Sequence, residues 1–390
     1  METTQAGTSS TSEGATYAIN SDLPLDCFSS TIFKSLRRTD QRKWAHAYLK
    51  ALLVTSGKKS VRRLATAVSR DPSVVQSLRQ FVSLSPWGFD EVMEELTHWV
   101  TDRRPGPVWP IGRAVLPKRG DRSVGVHRHF DLASGRTLNC QLGLGSFLCI
   151  GDAQFPVDWR LHLSTTWTQD PERRWDARIP DCEQYRPLWA DTLRLVDRLA
   201  ARSDSPSSVV LVDMSDEPDV VHLLRGLAKR HRDFVVAVPP YLAVLPIGEG
   251  ASTPADAKAL VSAQSSETAV VRRTDKQQRI THLQTSLVRL AGGPPGAPYR
   301  LFSETDPAGN PGPLWLTNLT HHTLAELGSI AALHAGTADA INSMEQHFGL
   351  LDFEGRSFPG WYHHMALVSA AYTFRRLHGL IDAPSRSTPH

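Results

Sequence analysis

Cysteine is scarce in this sequence, and the four present (Cys27, Cys140, Cys149, Cys182) show no Cys-x2-Cys spacing. That excludes a recognisable zinc ribbon and argues against a disulfide framework, so a reducing environment is expected. No apolar run approaches the ~18 uncharged residues of a spanning helix. The opening residues, METTQAGTSSTSEG, lack the basic-then-apolar pattern of a secretory leader, and none is expected. There is no Gly-Lys-Ser/Thr phosphate loop and no Gly-x-Gly-x-x-Gly after a strand; Gly143-Leu144-Gly145 lies inside a strand pattern. No Ser or Cys nucleophile elbow stands out.

What is present is an ordinary globular composition, 41% hydrophobic and 21% charged over 390 residues, enough for one large domain or two to three ordinary ones. The formal net charge is only +3, but it is unevenly spread. Residues 31–70 hold Lys34, Arg37, Arg38, Arg42, Lys43, Lys50, Lys58, Lys59, Arg62, Arg63 and Arg70 against the single acid Asp40, or +10, leaving −7 for the remainder. Contact with a phosphate backbone needs such a block, because each neutralised phosphate releases a counterion. The plainer reading is that these side chains solvate the outer faces of helices.

The apolar spacing outlines the organisation. Residues 1–30 and 381–390 are Ser/Thr/Pro-rich at their outer ends and are expected to be disordered tails. Across 31–104 the period is helical: Trp44, Tyr48 and Leu52 form one stripe stopped by Gly57, and Ser60 caps a second with Val61, Leu64, Ala65 and Val68. Val75, Leu78 and Val82 form a third, and Val92, Leu96 and Trp99 a fourth. After the Pro-rich break at 104–110 the pattern predicts strands at Ser123–Val126, Thr137–Ile150, Trp159–Leu163, Val209–Asp213, Phe234–Val238 and Leu314–Thr317. Helices are predicted over Asp219–His231 and, as a pair broken at Gly349–Gly360, over 323–380. Residues 240–312 read as an irregular insertion. Antiparallel strands followed by strand–helix–strand predict a mixed sheet, 105–239 with 313–380, carrying helices on both faces.

Sixteen histidines raise the question of a metal. The neighbours His321-His322 and His363-His364 point about 100° apart on a helix and cannot chelate one ion. His127 and His129 alternate on a strand and share a face, but lack a third ligand at fixed spacing.

Several segments, in order, resemble the insertion-sequence 701 family of DDE transposases: Ser73–Trp87, Lys118-Arg119-Gly120, Ser123-Val124-Gly125-Val126, Asn139-Cys140-Gln141, Pro156-Val157-Asp158-Trp159-Arg160-Leu161, and Gly349-Leu350 followed by Phe353-Glu354-Gly355-Arg356-Ser357. The similarity runs patchily over about residues 40–380. It implies a helical, DNA-binding N-terminal region and an RNase H-like catalytic domain with an insertion. It also implies three carboxylates holding two Mg²⁺ ions for in-line phosphoryl transfer. Asp213 stands in the position of the second acid, although Ser215-Asp216-Glu217 replaces the expected Tyr-Gly. Counting back from Lys118 puts Gly112 in the first acid position and Ala114 where a Thr is expected. Anchoring on Gly349-Leu350, the Tyr-x2-Arg-x3-Glu-x6-Lys signature falls on Ala331, His334, Ala338 and Glu345, so Ala338 occupies the third acid position; a one-residue slip would restore Asp339. Glu354 reads as part of a structural turn.

The expectation is therefore a transposase-derived protein that binds double-stranded DNA through Lys34, Arg37, Arg38, Arg42, Lys43, Lys58, Lys59, Arg62, Arg63, Lys118 and Arg119, but lacks the acids to cut it and needs no cofactor. It would be cytoplasmic, associated with the nucleoid when DNA-bound, and could form a homodimer. Two alternatives stay open: a pocket reused for metal-free chemistry by Asp213 with His127, His129 or His334, and a working Mg²⁺-dependent transposase whose acids lie elsewhere.

Overall fold

The computed structural model describes residues 25–131, 135–202, 208–247, 253–264, 266–272, 278–291, 298–306 and 311–378. Five helices come first: α1 (Leu25–Ile32), α2 (Thr39–Val54), α3 (Val61–Val68), α4 (Ser73–Ser83) and α5 (Phe89–Thr101). Four strands follow, β1 (Val108–Pro117), β2 (His127–Asp131), β3 (Arg136–Ile150) and β4 (Ala153–Leu161). Then come α6 (Thr165–Gln169), α7 (Pro171–Ala177), α8 (Leu188–Arg202), β5 (Val209–Asp213), α9 (Val220–Lys229) and β6 (Phe234–Val238). Next are β7 (Ala243–Pro246), β8 (Ala255–Asp256), α10 (Ala257–Ser262), β9 (Ser266–Arg272), β10 (Gln278–Leu290), β11 (Tyr299–Thr305) and β12 (Pro311–Thr317). The long helices α11 (Leu324–His347) and α12 (Phe358–Leu377) close the described chain.

The strands form one mixed sheet in the order β2-β3-β1-β5-β6-β12-β11-β10-β7-β8, with β4 on β3 and β9 on β10. At its centre β1 runs antiparallel to β3 and parallel to β5, and β5 runs parallel to β6. This is the mixed α/β architecture the strand pattern predicts. One face carries α11, α12 and the N-terminal helices; the other carries α8, α9 and α10.

Several expectations need correction. Leu25–Ile32 is helical, with Phe28 and Ile32 fully buried, so the N-terminal tail cannot extend to residue 30; residues 1–24 and 381–390 lie outside the described residues. Ser123–Val126 is a turn, and the strand begins at His127, because Gly125 takes a positive φ of 76°. Residues 240–312 are no irregular excursion: β7 to β11 extend the central sheet beyond β12. β10 escapes detection because its outward residues (Gln278, Arg279, Thr285, Arg289) dilute the apolar signal of a sheet extension covered only by the short α10 and part of α11.

The helices of 31–104 have no separate core. Leu49, Leu52, Leu64, Leu78 and Leu96 share one apolar cluster with Trp159 of β4 and with Trp361, Met365 and Leu367 of α12. α12 explains this: nearly all of its residues are buried, and a helix apolar on every side must lie inside the protein.

The segments that carry the family resemblance are the joints of this scaffold. The Lys118 ammonium donates to the carbonyls of Leu351 (3.2 Å) and Phe353 (2.9 Å), and Asn139 Nδ2 donates to those of Lys118 and Gly120. Gly349, at φ 75°, ends α11, and the Leu350 N–H returns to the Met344 carbonyl. Ser357 caps α12 by accepting from the Gly360 N–H, while the Arg356 carbonyl receives the Val124 N–H. Asp158, fully buried, accepts from Arg198 and Arg202 of α8, and Arg160 donates to Asp191 (2.5 Å) and Glu183 (2.6 Å). Burial opposes the Arg160 charge, yet these carboxylates hold its pKa above the ordinary arginine range.

His363 and His364, neighbours that cannot chelate one ion, are both buried. His364 donates from Nε2 to the Gly349 carbonyl (2.9 Å), and its Nδ1 has no partner. A second proton would sit on Nδ1 in the core, and burial pushes the imidazole pKa down to about 4. The unfolded chain binds that proton near its usual ~6.5, so folding stability falls as pH drops from about 6.5 toward 4 and is insensitive to this group above 7. Urea midpoints measured at pH 7.5 and 5.0 should differ in the wild type, and the difference should shrink in His364→Gln. An unchanged difference would show that His364 is not the group responsible.

Candidate functional site

Ile111 of β1 pairs with Val212 of β5, so the next residues, Gly112 and Asp213, lie side by side on the sheet face covered by α11. Here β5 ends beside the middle of β1, and side chains from β5 and α11 can converge on the Gly112 backbone. The Asp213 carboxylate accepts from the Ser215 N–H at 2.9 Å, and its other oxygen lies 3.5 Å from His334 Nε2 on α11. The His334 ring stands edge-on to Trp315 of β12.

Beside Asp213 the place is filled. A Cβ on Gly112 would come within 2.6 Å of Thr337 Cγ2 and 2.8 Å of Ile341 Cδ1, both on α11. Thr337 is buried and donates to Gln154 Oε1 (2.6 Å), while Gln154 Nε2 donates to the Leu333 carbonyl (2.6 Å). Strand and helix are thus locked at contact distance, with a hydroxyl and two hydrocarbon groups where a metal site would need oxygen anions. The helix residue facing Gly112 is Thr337, not Ala338; Ala338 and Asp339 are both exposed, so the count from Gly349 falls one residue off the inward face. Glu345 lies two turns further along, half-buried, with burial raising its carboxyl pKa. Ala331 is partly buried two turns before Thr337.

The acids that follow Asp213 turn to the opposite face. Asp216 and Glu217 both pair with Arg113, which alternates with Gly112 on β1; the Glu217 contact is 3.3 Å. Burial and the neighbouring Asp216 raise the Glu217 carboxyl, and Arg113 pulls it back. On that same face are His127 and His129, whose ring centroids are 6.2 Å apart, with His162 5.7 Å from His127 and bonded to Asp191. His127 and His129 therefore share a face, as expected, but it is not the face of Asp213; of the three histidines considered, only His334 reaches that acid. Among the described residues no group of three or more His, Cys, Asp and Glu side chains is placed to hold a metal ion. His162, Asp191 and Gln154 carried no spacing signal; only the fold brings His162 to Asp191 and Gln154 to Thr337.

The basic residues divide into three sets. Lys59 is buried, its ammonium held by the Thr55 carbonyl, and Lys118 is bound to two carbonyls, with burial lowering its pKa to about 8. These two are structural and are corrected out of the expected DNA contacts. Lys34 pairs with Glu95 (2.7 Å) and Arg38 with Asp40 (2.6 Å), while Arg42 and Arg63 each donate to a backbone carbonyl. Arg37, Lys43, Lys50, Lys58, Arg62, Arg70 and Arg119 are exposed.

A family model described as "DDE superfamily endonuclease" matches residues 31–286. The match spans more than half of the sequence, and the chain belongs to this family. Among solved structures, the piggyBac transposase in a synaptic complex with hairpin DNA is similar at 10% identity and a TM-score of 0.41, covering 92% of this chain and 79% of that one. No curated protein matches.

The packing at Gly112 makes a stability prediction. Gly112→Ala forces a methyl into Thr337 and Ile341 and should cost about 1–3 kcal/mol in urea unfolding. Gly112→Asp, which adds an unpaired carboxylate beside Asp213, should cost more. A Gly112→Asp variant as stable as wild type would mean that α11 lifts away to open a pocket.

Proposed function

We propose that this chain is a transposase-derived protein of the insertion-sequence 701 type that binds duplex DNA and does not cut it, acting as a DNA-binding or regulatory protein. The observation that carries this reading is the closed contact between Gly112 and Thr337/Ile341 next to a single surviving acid.

The family implies a pair of Mg²⁺ ions, and the residues present do not fit them. Mg²⁺ requires hard oxygen ligands in near-octahedral geometry, and a two-ion site needs several carboxylates converging on one point. Here one carboxylate remains, one of its oxygens held by a backbone amide and the other beside His334. Losing even one such ligand costs on the order of 10² to 10³ in rate; with the neighbouring space also packed, the site does not support phosphoryl transfer. Affinity for DNA needs no such pocket. It needs exposed cations, and Arg37, Lys43, Lys50, Lys58, Arg62, Arg70 and Arg119 meet that requirement.

Fluorescence anisotropy with unrelated duplexes over a range of salt tests the binding, and a plasmid-nicking assay with Mg²⁺ or Mn²⁺ tests the loss of cutting. Replacing Arg62 and Arg63 together with Ala should weaken binding to every duplex and flatten the salt slope by about 1 to 2, with no nicking by wild type. Equal binding by the double variant, or metal-dependent nicking abolished by Asp213→Asn, would contradict the reading.

A further inference from the structure

The short helices α3 and α4 are joined by the turn at 69–72, and both pack on α2. A short helix, a turn of that length and a second helix are the parts of a helix-turn-helix unit, whose second helix enters the major groove of duplex DNA. α4 is two-sided. Val74, Leu78, Phe81 and Val82 are buried against α2, α3 and α12. At about 100° per residue the opposite side carries Ser73, Gln76, Arg79 and Gln80, all of them exposed. The side chains of Gln76, Arg79 and Gln80 bond to nothing among the described residues.

A polar stripe of this kind ordinarily does no more than face water. Two features set this one apart. The first is sign. The stretch 41–89 holds a single acid, Asp71, whose Oδ1 accepts from the Ser73 N–H (2.9 Å) at the start of α4. Lys58, Arg62 and Arg70 lie exposed on the approach to α4. The next helix, α5, shows the usual mixture instead, with Asp90, Glu91 and Glu94 on its exposed side. The second feature is a rigid mount. Trp87 Nε1 donates to the Phe81 carbonyl (3.1 Å), and the Ser83 carbonyl accepts from Ser357 Oγ (3.2 Å) and from Arg178. The last turn of α4 is thus tied to α7 and α12, and reading bases requires side chains carried on an element that does not move.

The side chains on this stripe match base edges in kind. A glutamine amide both donates and accepts, as adenine N6 and N7 require, and an arginine donates twice to guanine O6 and N7. Phosphates, by contrast, fix position and carry no sequence, and cations suffice for them. We propose that α4 is a base-reading helix: Gln76, Arg79 and Gln80 meet base edges in the major groove, Arg62 and Arg70 take flanking phosphates, and the chain therefore prefers particular duplex sequences. The duplex as partner rests on the function proposed above; the preference for a sequence, and its assignment to α4, go beyond it.

The test uses the full chain and two variants, Arg79→Ala and the double variant Gln76→Ala with Gln80→Ala. The positions are exposed and alanine is the best helix former, so the fold is kept, which circular dichroism and melting check. Wild type is first taken through selection from a randomised duplex library, and the enriched duplex and a scrambled one are then titrated by anisotropy across a salt series. Wild type should enrich a motif. The glutamine double variant should bind the enriched duplex about tenfold to a hundredfold more weakly, match wild type on the scrambled duplex, and keep the salt slope, since no charge is removed. Arg79→Ala, taken through the same selection, should lose the preference for guanine at one position. Duplex binding by wild type without an enriched motif, or a motif that both variants keep, would overturn the base-reading helix and leave DNA binding standing. Equal weakening on both duplexes by the glutamine variant would overturn it as well. If wild type binds no duplex at all, this proposal falls together with the function proposed above.

Discussion

One contact governs the centre of the fold, the seating of α11 against β1 at Gly112. Only a glycine lets Thr337 and Ile341 come so close, and the Thr337–Gln154–Leu333 hydrogen bonds hold the helix there. A two-ion site would need the reverse: a strand and a helix held apart by carboxylates, with cations and water between them. The same backbone cannot satisfy both arrangements, because dense packing excludes the hydrated space that metal ions require. Asp213 lies at the edge of this contact, partly exposed, with one carboxylate oxygen 3.5 Å from His334 Nε2.

The segments that retain the family resemblance are, almost without exception, those that hold the scaffold. Lys118 and Asn139 fasten the turn after β1, Asp158 and Arg160 bind β4 to α8, and Gly349 and Ser357 shape the passage between α11 and α12. Buried ion pairs of this kind are costly to break, since removing one partner strands the other charge away from water; typical losses are about 3–5 kcal/mol. The scaffold needs these residues in order to fold, whatever the chain does with metal ions. Family membership and the absence of a carboxylate cluster among the described residues are therefore compatible, because they rest on different residues.

Much of this was legible in the sequence. The helical stripes, the strands β3, β4, β5, β6 and β12, and the position of Asp213 at a strand end follow from spacing alone, since period and burial go together in regular elements; β1, interrupted by prolines, and β7 to β11 do not. The rest required contacts between distant residues. β10 hides because one of its faces is polar, and α12 hides its importance because an all-round apolar helix has no stripe to mark its inward side. The one-residue shift from Ala338 to Thr337 arises because the count ran back along a helix, where a single step rotates a side chain by about 100°. Lys59 and Lys118 looked like DNA contacts because composition records charge but not burial. Their ammonium groups are turned inward to carbonyls that only the folded chain supplies.

Manganese tests most directly whether divalent ions can gather at Asp213. Electron paramagnetic resonance of the full chain titrated with Mn²⁺ should show the spectrum of free ion at all ratios, identical in wild type and Asp213→Asn. A bound-ion signal, above all the exchange-coupled signal of a manganese pair, that disappears in Asp213→Asn would contradict the account and return the chain to the working members of its family.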